Sequence, residues 1–198
     1  MQTQRIVNVG VGGQGNLLAS NLLGQAALDA GLPVVVSEIH GMAQRGGVVE
    51  SAVIIGEAKS PIVSDAEADI IVSFEPVETL RILNKAHKGT LIITNTRPLP
   101  PFTVAIGQAA YPAPEDSLAY IRRKVKNVIS FDGQALAEQA KNPLSLNMVM
   151  LGALFAAGNL PVPVKSIKKM IKANSKERFV AANLQAFDLG FAAAGGGN

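Results

Sequence analysis

The chain contains no cysteine and no tryptophan, and only two histidines, His40 and His87. Without cysteine there is no disulfide, no thiolate nucleophile and no Cys-ligated iron–sulfur cluster. Two histidines fall short of the usual zinc ligand set, so no metal site is expected. Any redox centre must therefore belong to another molecule. Aromatic residues make up only 5% of the chain, which leaves Val, Ile, Leu and Ala to build the core. Strong charge is missing too: 18 basic against 15 acidic side chains give a net +3, too mild to demand nucleic acid. The most apolar segment, residues 148–157, is far shorter than the roughly 20 residues that span a bilayer. The N-terminus shows no basic stretch followed by an apolar one. No membrane association is expected, and the cytoplasm is the expected location. What remains, 198 residues with 48% apolar and 17% charged content, is an ordinary folded chain. That length suits one α/β domain with a substantial core, here residues 1–191, followed by a flexible tail over 192–198.

Strand and helix patterns alternate. Residues 5–11 (RIVNVGV) form a β-branched run ending in glycines, the pattern of a buried strand. Leu18, Leu22, Ala26 and Ala30 then recur at helical spacing and predict an inward stripe, closed by Gly31 and Pro33. Further strands are predicted at 33–38, 48–55, 69–74, 90–94 and 128–131. Glu75-Pro76 opens a helix expected to close near Gly89, with proline in the tolerated first turn. A proline-rich connection over 98–114 is expected to run across the surface. Helices follow at 115–126, 133–140, 146–157, 164–173 and 176–191. The expected fold is a three-layer α/β arrangement: a mostly parallel, Rossmann-like sheet with helices on both faces and a helical C-terminal third.

Two loops carry the candidate chemistry. The first, GVGGQG (Gly10, Gly12, Gly13, Gln14, Gly15), fits G-x-G-x-x-G with a strand before it and a helix after. Such glycines permit positive φ and close backbone approach, and the helix start offers unpaired N–H groups to an anion. Glu38, at the end of the second strand, is placed where a ribose-binding acid would be expected. A nucleotide site, a simple tight turn and a partner contact all remain open for this loop. The second loop, HGMAQRGG, contains His40, Gln44, Arg45, Gly46 and Gly47 and lies beyond a strand's carboxyl end, where α/β proteins gather functional groups. Arg45 supplies a planar fork suited to carboxylate or phosphate.

Together GVGGQG and SEIHGMAQRGG resemble the small subunit of the indolepyruvate:ferredoxin oxidoreductases, the gamma-type domain of the 2-oxoacid:ferredoxin oxidoreductase family. FEPVETLR (residues 74–81), TNTRPLPP (94–101) and NMVMLGAL (147–154) resemble the family at corresponding places, and the likeness runs from about residue 5 to 190. Two positions depart from it: Asn16 stands where relatives are usually apolar, and Glu50 where a small residue is commoner.

The resemblance implies a fold, an activity and a division of labour. The implied reaction is oxidative decarboxylation of a 2-oxoacid with coenzyme A, giving acyl-CoA, carbon dioxide and reduced ferredoxin. For this branch the oxoacid is an aryl pyruvate, such as indolepyruvate from tryptophan, which places the reaction in amino-acid catabolism. It also implies no cofactor in this chain: thiamine diphosphate and the iron–sulfur clusters belong to a large (alpha) subunit, through which ferredoxin is reached. The isolated chain is then expected to be inactive, with no catalytic residue of its own. Pyruvate and ketoisovalerate enzymes share much of the pattern. A free-standing NAD-dependent dehydrogenase is the rival from another class, favoured by the glycine loop and Glu38 and opposed by the lack of a recognisable proton donor.

Both loops are expected to wall a coenzyme A or substrate channel at the contact with the large subunit. Arg45 can equally pair with Glu38 and only hold its loop in shape; His40 and Gln44 can equally be loop residues bonded to backbone. Asn95 and Arg97 follow a strand end and are weaker candidates for the same cleft, Arg97 being restricted by Pro98. Residues 146–158 are apolar almost all round, which fits a core helix more readily than one covered by a partner. Lys165, Lys168, Lys169, Lys172, Lys176 and Arg178 most simply form a solvated helix face, since no aromatic residues interleave for nucleic-acid stacking.

Overall fold

In β1 (Gln4–Val11), Ile6, Val7, Val9 and Val11 are buried on both faces of the strand. A near-continuous apolar run is what a central strand needs, because successive side chains enter opposite layers. The structure is a computed structural model that describes residues 2–40, 47–100, 104 and 106–195. The other strands are β2 (Val34–His40), β3 (Val48–Ile55), β4 (Ala68–Ser73), β5 (Ala86–Asn95) and β6 (Asn127–Phe131). They form one sheet in the order β2-β3-β1-β4-β5-β6.

The expected three-layer arrangement is found, with one difference: the sheet is mixed. β1, β4, β5 and β6 pair in parallel, whereas β3 runs antiparallel between β1 and β2. The reason lies in the connection. Only residues 41–47 separate β2 from β3, too few for the crossover of about a dozen residues that parallel neighbours require.

Seven helices are present among the described residues: α1 (Asn16–Asp29), α2 (Pro76–Arg81), α3 (Pro114–Lys124), α4 (Gly133–Gln139), α5 (Leu146–Ala157), α6 (Val164–Asn174) and α7 (Glu177–Ala193). One face of the sheet, through Ile6, Val53, Ile70 and Ile93, packs on α1 and α4 to α7. The opposite face, through Val7, Val9, Ile71 and Ile92, packs on Ile82 after α2 and on Ile121 of α3. Among the described residues, no helix is long and apolar enough to cross a membrane.

The almost wholly apolar helix α5 is a core element. Every residue from Leu146 to Phe155 is buried, and a fully buried Leu, Val or Met side chain stabilises by about 1.5–3 kcal/mol. Its outer side is covered by α7 at unusually close range. A Cβ at Gly152 would lie 1.9 Å from the Phe187 carbonyl oxygen, and one at Gly190 would lie 1.9 Å from that of Val149. Each helix thus contributes a glycine to the same crossing.

Several details differ from the sequence expectation. On α1 the buried positions are Asn16, Ala19, Ser20, Leu22, Leu23, Gly24, Ala26 and Ala27, while Leu18 is exposed and Ala30 half-buried. The cause is that α1 is covered on two sides, by the sheet and by α6, so the stripe widens and turns. The helix expected to reach Gly89 stops at Arg81, and after a 3-10 turn (Leu83–Lys85) the chain is already extended at Ala86. Thr90 makes this possible: its hydroxyl accepts the His87 N–H (2.8 Å) and donates to the Ala68 carbonyl (2.6 Å), stitching the register shift between β4 and β5. Helix α7 continues through Ala193, past the expected boundary at 191.

The two departures from the family pattern both have structural roles. Asn16 is buried and donates from Nδ2 to the Val49 carbonyl (2.7 Å), tying α1 to β3. Glu50 faces the opposite layer and pairs with Lys85 Nζ at 3.2 Å. Beneath α1 a second polar group is buried. Asn8 Nδ2 donates to Ser20 Oγ (2.8 Å), which lies 2.6 Å from Ser51 Oγ. Asn8 and Ser51 are cross-strand partners of β1 and β3.

The lysines of α6 are a solvated face. Ser166, Ile167 and Ile171 are buried, Lys169 pairs with Asp29, and Lys168 pairs with Asp188 at 2.6 Å.

Candidate functional site at the carboxyl edge of the sheet

From β1 the chain builds β2 and β3 to one side and β4 to β6 to the other. Such a reversal leaves a crevice beyond the strand ends, the usual ligand position in open α/β sheets. A cleft of about 300 Å³ lies there, lined by Gly13 and Gln14 from the first loop, Asn95, Arg97 and Leu99 after β5, and Leu144 before α5.

The glycine loop is a tight strand-to-helix turn. Gly13 and Gly15 have φ of +107° and +80°, a region that side chains disfavour, and Gly15 is the residue preceding α1. A Cβ at Gly10 would meet Phe74 Cβ at 2.9 Å, so β1 and the end of β4 depend on that missing atom for their approach. Gln14 is spent inside the protein: Oε1 accepts the Val11 N–H (2.8 Å) and Nε2 donates to the Phe74 carbonyl (2.9 Å). The Gly12 N–H donates to the Gly47 carbonyl at 2.9 Å, so the two glycine loops touch.

Of the second loop, Gln44, Arg45 and Gly46 lie outside the described residues, and the backbone of His40 forms the last position of β2 instead of opening the loop. Glu38 is exposed and accepts from Asn21 Nδ2 at 3.3 Å. It is not brought to the glycine loop, because β3 intervenes between β2 and β1. Two strand spacings, about 9–10 Å, separate its strand from β1. A ribose-binding acid of the usual kind needs its strand adjacent to β1, and here that neighbour is β3.

Asn95 is fully buried and organises three segments. Its Nδ2 donates to the carbonyls of Phe74 (3.0 Å) and Arg97 (3.2 Å), and its Oδ1 accepts the Gly133 N–H (2.9 Å) at the start of α4. Arg97 is not a free fork. Its Nη2 lies 2.8 Å from Asp132 Oδ2 and its Nη1 2.7 Å from Glu138 Oε1. Asp132 also accepts the Ala135 N–H (2.9 Å) as the cap of α4. Burial opposes ionisation of Asp132, but the Ala135 amide and the Arg97 guanidinium outweigh it and hold the carboxyl below the ordinary carboxylate range.

The structure adds residues that sequence reasoning passed over. Glu75 is 1% exposed and all its oxygens are used. Oε2 caps α2 by accepting the N–H groups of Val77 (2.7 Å) and Glu78 (3.1 Å). Oε1 accepts the Leu99 N–H (3.2 Å) and the Tyr111 hydroxyl. Glu75-Pro76 signalled a helix start, and only the fold shows what the other oxygen reaches. Tyr111 ionises less readily than usual because of burial and the Glu75 carboxylate beside it. Glu78 is buried, Arg81 Nε lies 3.2 Å from its Oε1, and its Oε2 has no hydrogen-bond partner among the described residues. Burial raises its pKa against the opposing charge of Arg81, with Glu75 adding to the rise.

The mouth of this cleft is apolar. Leu144 is 85% exposed, with Leu99 beside the same opening, while Leu18 in the first turn of α1 and Ile39 near the end of β2 lie along the same edge of the sheet, both exposed. The profile of the pyruvate ferredoxin/flavodoxin oxidoreductases matches residues 5–193. The chain belongs to that family.

Within it, the chain is 42% identical to the indolepyruvate oxidoreductase subunit IorB of Pyrococcus horikoshii over 98% of its length and 97% of the relative's. It is 39% identical to the corresponding subunit of Archaeoglobus fulgidus, covering 94% of this chain and 92% of that one. The fold is shared with the 2-oxoglutarate:ferredoxin oxidoreductase of Magnetococcus marinus (TM-score 0.75, 22% identity), where it spans 98% of this chain and 31% of that much longer one. For this family member the glycine-loop cleft lies at an edge of the molecule, with exposed apolar side chains around its opening.

Proposed function

We propose that the chain is the small subunit of an indolepyruvate:ferredoxin oxidoreductase. In the complete enzyme an aryl 2-oxoacid and coenzyme A become acyl-CoA and carbon dioxide while ferredoxin is reduced. The observation that carries this reading is the 42% identity, over 98% of the chain, with the indolepyruvate oxidoreductase subunit IorB of Pyrococcus horikoshii. Iron–sulfur clusters are held by thiolates, and this chain has none to offer. On the family resemblance, with which the lack of thiolates agrees, we assign the clusters and thiamine diphosphate to a larger partner subunit, with the cytoplasm as the place of assembly.

The carboxyl edge of the sheet is the face offered to that partner. Single exposed apolar residues are unremarkable, but Leu144 and Leu99 at one cleft mouth, with Leu18 and Ile39 along the same edge, fit a surface covered on assembly. The chain's own residues then act as a wall. The start of α1 favours the negative groups of coenzyme A or the oxoacid, while Gln14 and Asn95 keep the cleft's shape. Arg45, next to Gly46 and Gly47, is the candidate direct ligand contact.

Co-purification of the tagged chain with a larger polypeptide carrying thiamine and iron is the expected result. Leu144→Asp should lower recovery of that companion about tenfold, as a charge buried at an interface core does. Oxidation of a substrate by the purified chain alone, with no partner, thiamine or metal, would overturn the assignment.

A further inference from the structure

Neither Phe74 nor Glu75 lines the cleft, yet the walls of the cleft are fastened to these two residues. Phe74 is 0% and Glu75 1% exposed. The Phe74 carbonyl accepts from Gln14 on the glycine-loop wall and from Asn95 on the floor. The Glu75 carboxylate then accepts the Leu99 amide, on the opposite wall, and the Tyr111 hydroxyl at the far end of the proline-rich connection. Two adjacent residues at the end of β4 thus fix both sides of one opening.

We propose that Glu75 is a positioning residue of the oxidoreductase, a clasp that sets the Leu99 wall of the cleft for what binds there. The role rests on the cleft being a ligand-bearing wall of the assembled enzyme, as proposed above. A neutral acceptor could cap α2, but the clasp asks more of the side chain. It has to reach across to segments 24 and 36 residues further along the chain while its second oxygen caps the helix. A carboxylate accepts through both oxygens, whereas an amide turns one of them into a donor facing N–H groups. Length matters as much as charge. Aspartate is a good N-cap, but one methylene shorter, so it keeps the cap and loses the strap. A wall displaced by about 1 Å can cost about a hundredfold in productive positioning.

Glu75→Asp therefore separates the clasp from the cap, and Tyr111→Phe removes one bond of the clasp while leaving the cap whole. Both variants are to be measured in the complex with the large subunit. Hydrogen exchange of the Leu99 amide reports on the clasp itself, and the KM and kcat for coenzyme A and for indolepyruvate report on the cleft. The expected result is faster exchange at Leu99 in Glu75→Asp. With it, KM for at least one of the two compounds rises about tenfold while kcat stays within about twofold, the mark of lost binding and not lost chemistry. Tyr111→Phe should fall between Glu75→Asp and the wild type. Unchanged exchange at Leu99 would show that there is no clasp and overturn the proposal. Faster exchange with both KM values unchanged would show a clasp on a cleft that holds neither compound, which removes the positioning role and the cleft reading together. A lower melting temperature alone would mark a purely structural contact and count against the proposal.

Discussion

Replacing Gly152 by alanine should push α5 and α7 apart. The new Cβ would sit 1.9 Å from the Phe187 carbonyl oxygen and 2.8 Å from the Phe191 nitrogen, where ordinary contact begins at 3.4 Å. Both obstacles are backbone atoms and cannot rotate away, so the helix axes must part by roughly 1 Å or more in an interior with no slack. Overpacking of this kind costs about 1–3 kcal/mol, here at the upper end. The gain in helix propensity from glycine to alanine returns about 1 kcal/mol. The net expectation is a loss of about 2 kcal/mol, or about 4–8 °C in melting temperature for a chain of this size. Gly190→Ala meets the Val149 carbonyl at the same 1.9 Å and should behave alike. Because one separation relieves both clashes, the double variant should cost about as much as the worse single one, a favourable coupling of about 2 kcal/mol. Urea and heat denaturation of the purified chain, followed by circular dichroism, measure all three variants. A stabilised Gly152→Ala, or strictly additive losses, would refute the close crossing.

Two further predictions concern pH. Asp132 has a folded pKa below its unfolded one, so its contribution is complete above the ordinary carboxylate range and is lost as pH falls through the depressed value. Asp132→Asn should therefore be less stable than the wild type at neutral pH, and the gap should narrow as pH falls through and below the ordinary carboxylate range; a constant gap in urea titrations at several pH values would contradict this. Glu78 has the opposite sign: its folded pKa is raised, so the stability it contributes is complete below the ordinary range and lost as pH rises through the raised value. Glu78→Gln should then be more stable than the wild type at neutral pH and lose that advantage on acidification, and an advantage that persists in acid would refute the assignment to a buried charge.

The elements most legible in the sequence were those governed by short-range rules. Residues 146–157 read as one helix because so long an apolar run, with no proline and a single glycine, has few other options, and α5 has those bounds. The β-branched run of β1 and the glycines after it were equally plain. The direction of β3 is legible in principle from the shortness of the 41–47 connection, whereas strand alternation speaks only for a mostly parallel sheet as a whole. The orientation of α1 was not legible, because its buried face is decided by α6, which lies more than a hundred residues later. Thr90 stitched a bulge that propensity could not foresee. In the site, the glycine loop and Asn95 could be found from their place after strands, since strand ends are where such residues converge. Glu38 misled because a strand's rank in the sequence is not its rank in the sheet. Glu75 was visible as a helix start, but its partners Leu99 and Tyr111 are 24 and 36 residues away and no local pattern announces them.

The hydroxyls and amides beneath α1 have a bearing on how this protein can vary. A slip of β3 by a single residue would turn Ser51 away from Ser20 and Asn8 and send every neighbour on that strand to the wrong layer. Alignment of the strand is thus secured from below, by polar groups of β1 and α1. A change confined to the sequence between β2 and β3 therefore leaves this polar lock in place, provided that Gly47 keeps its carbonyl bond to the Gly12 N–H.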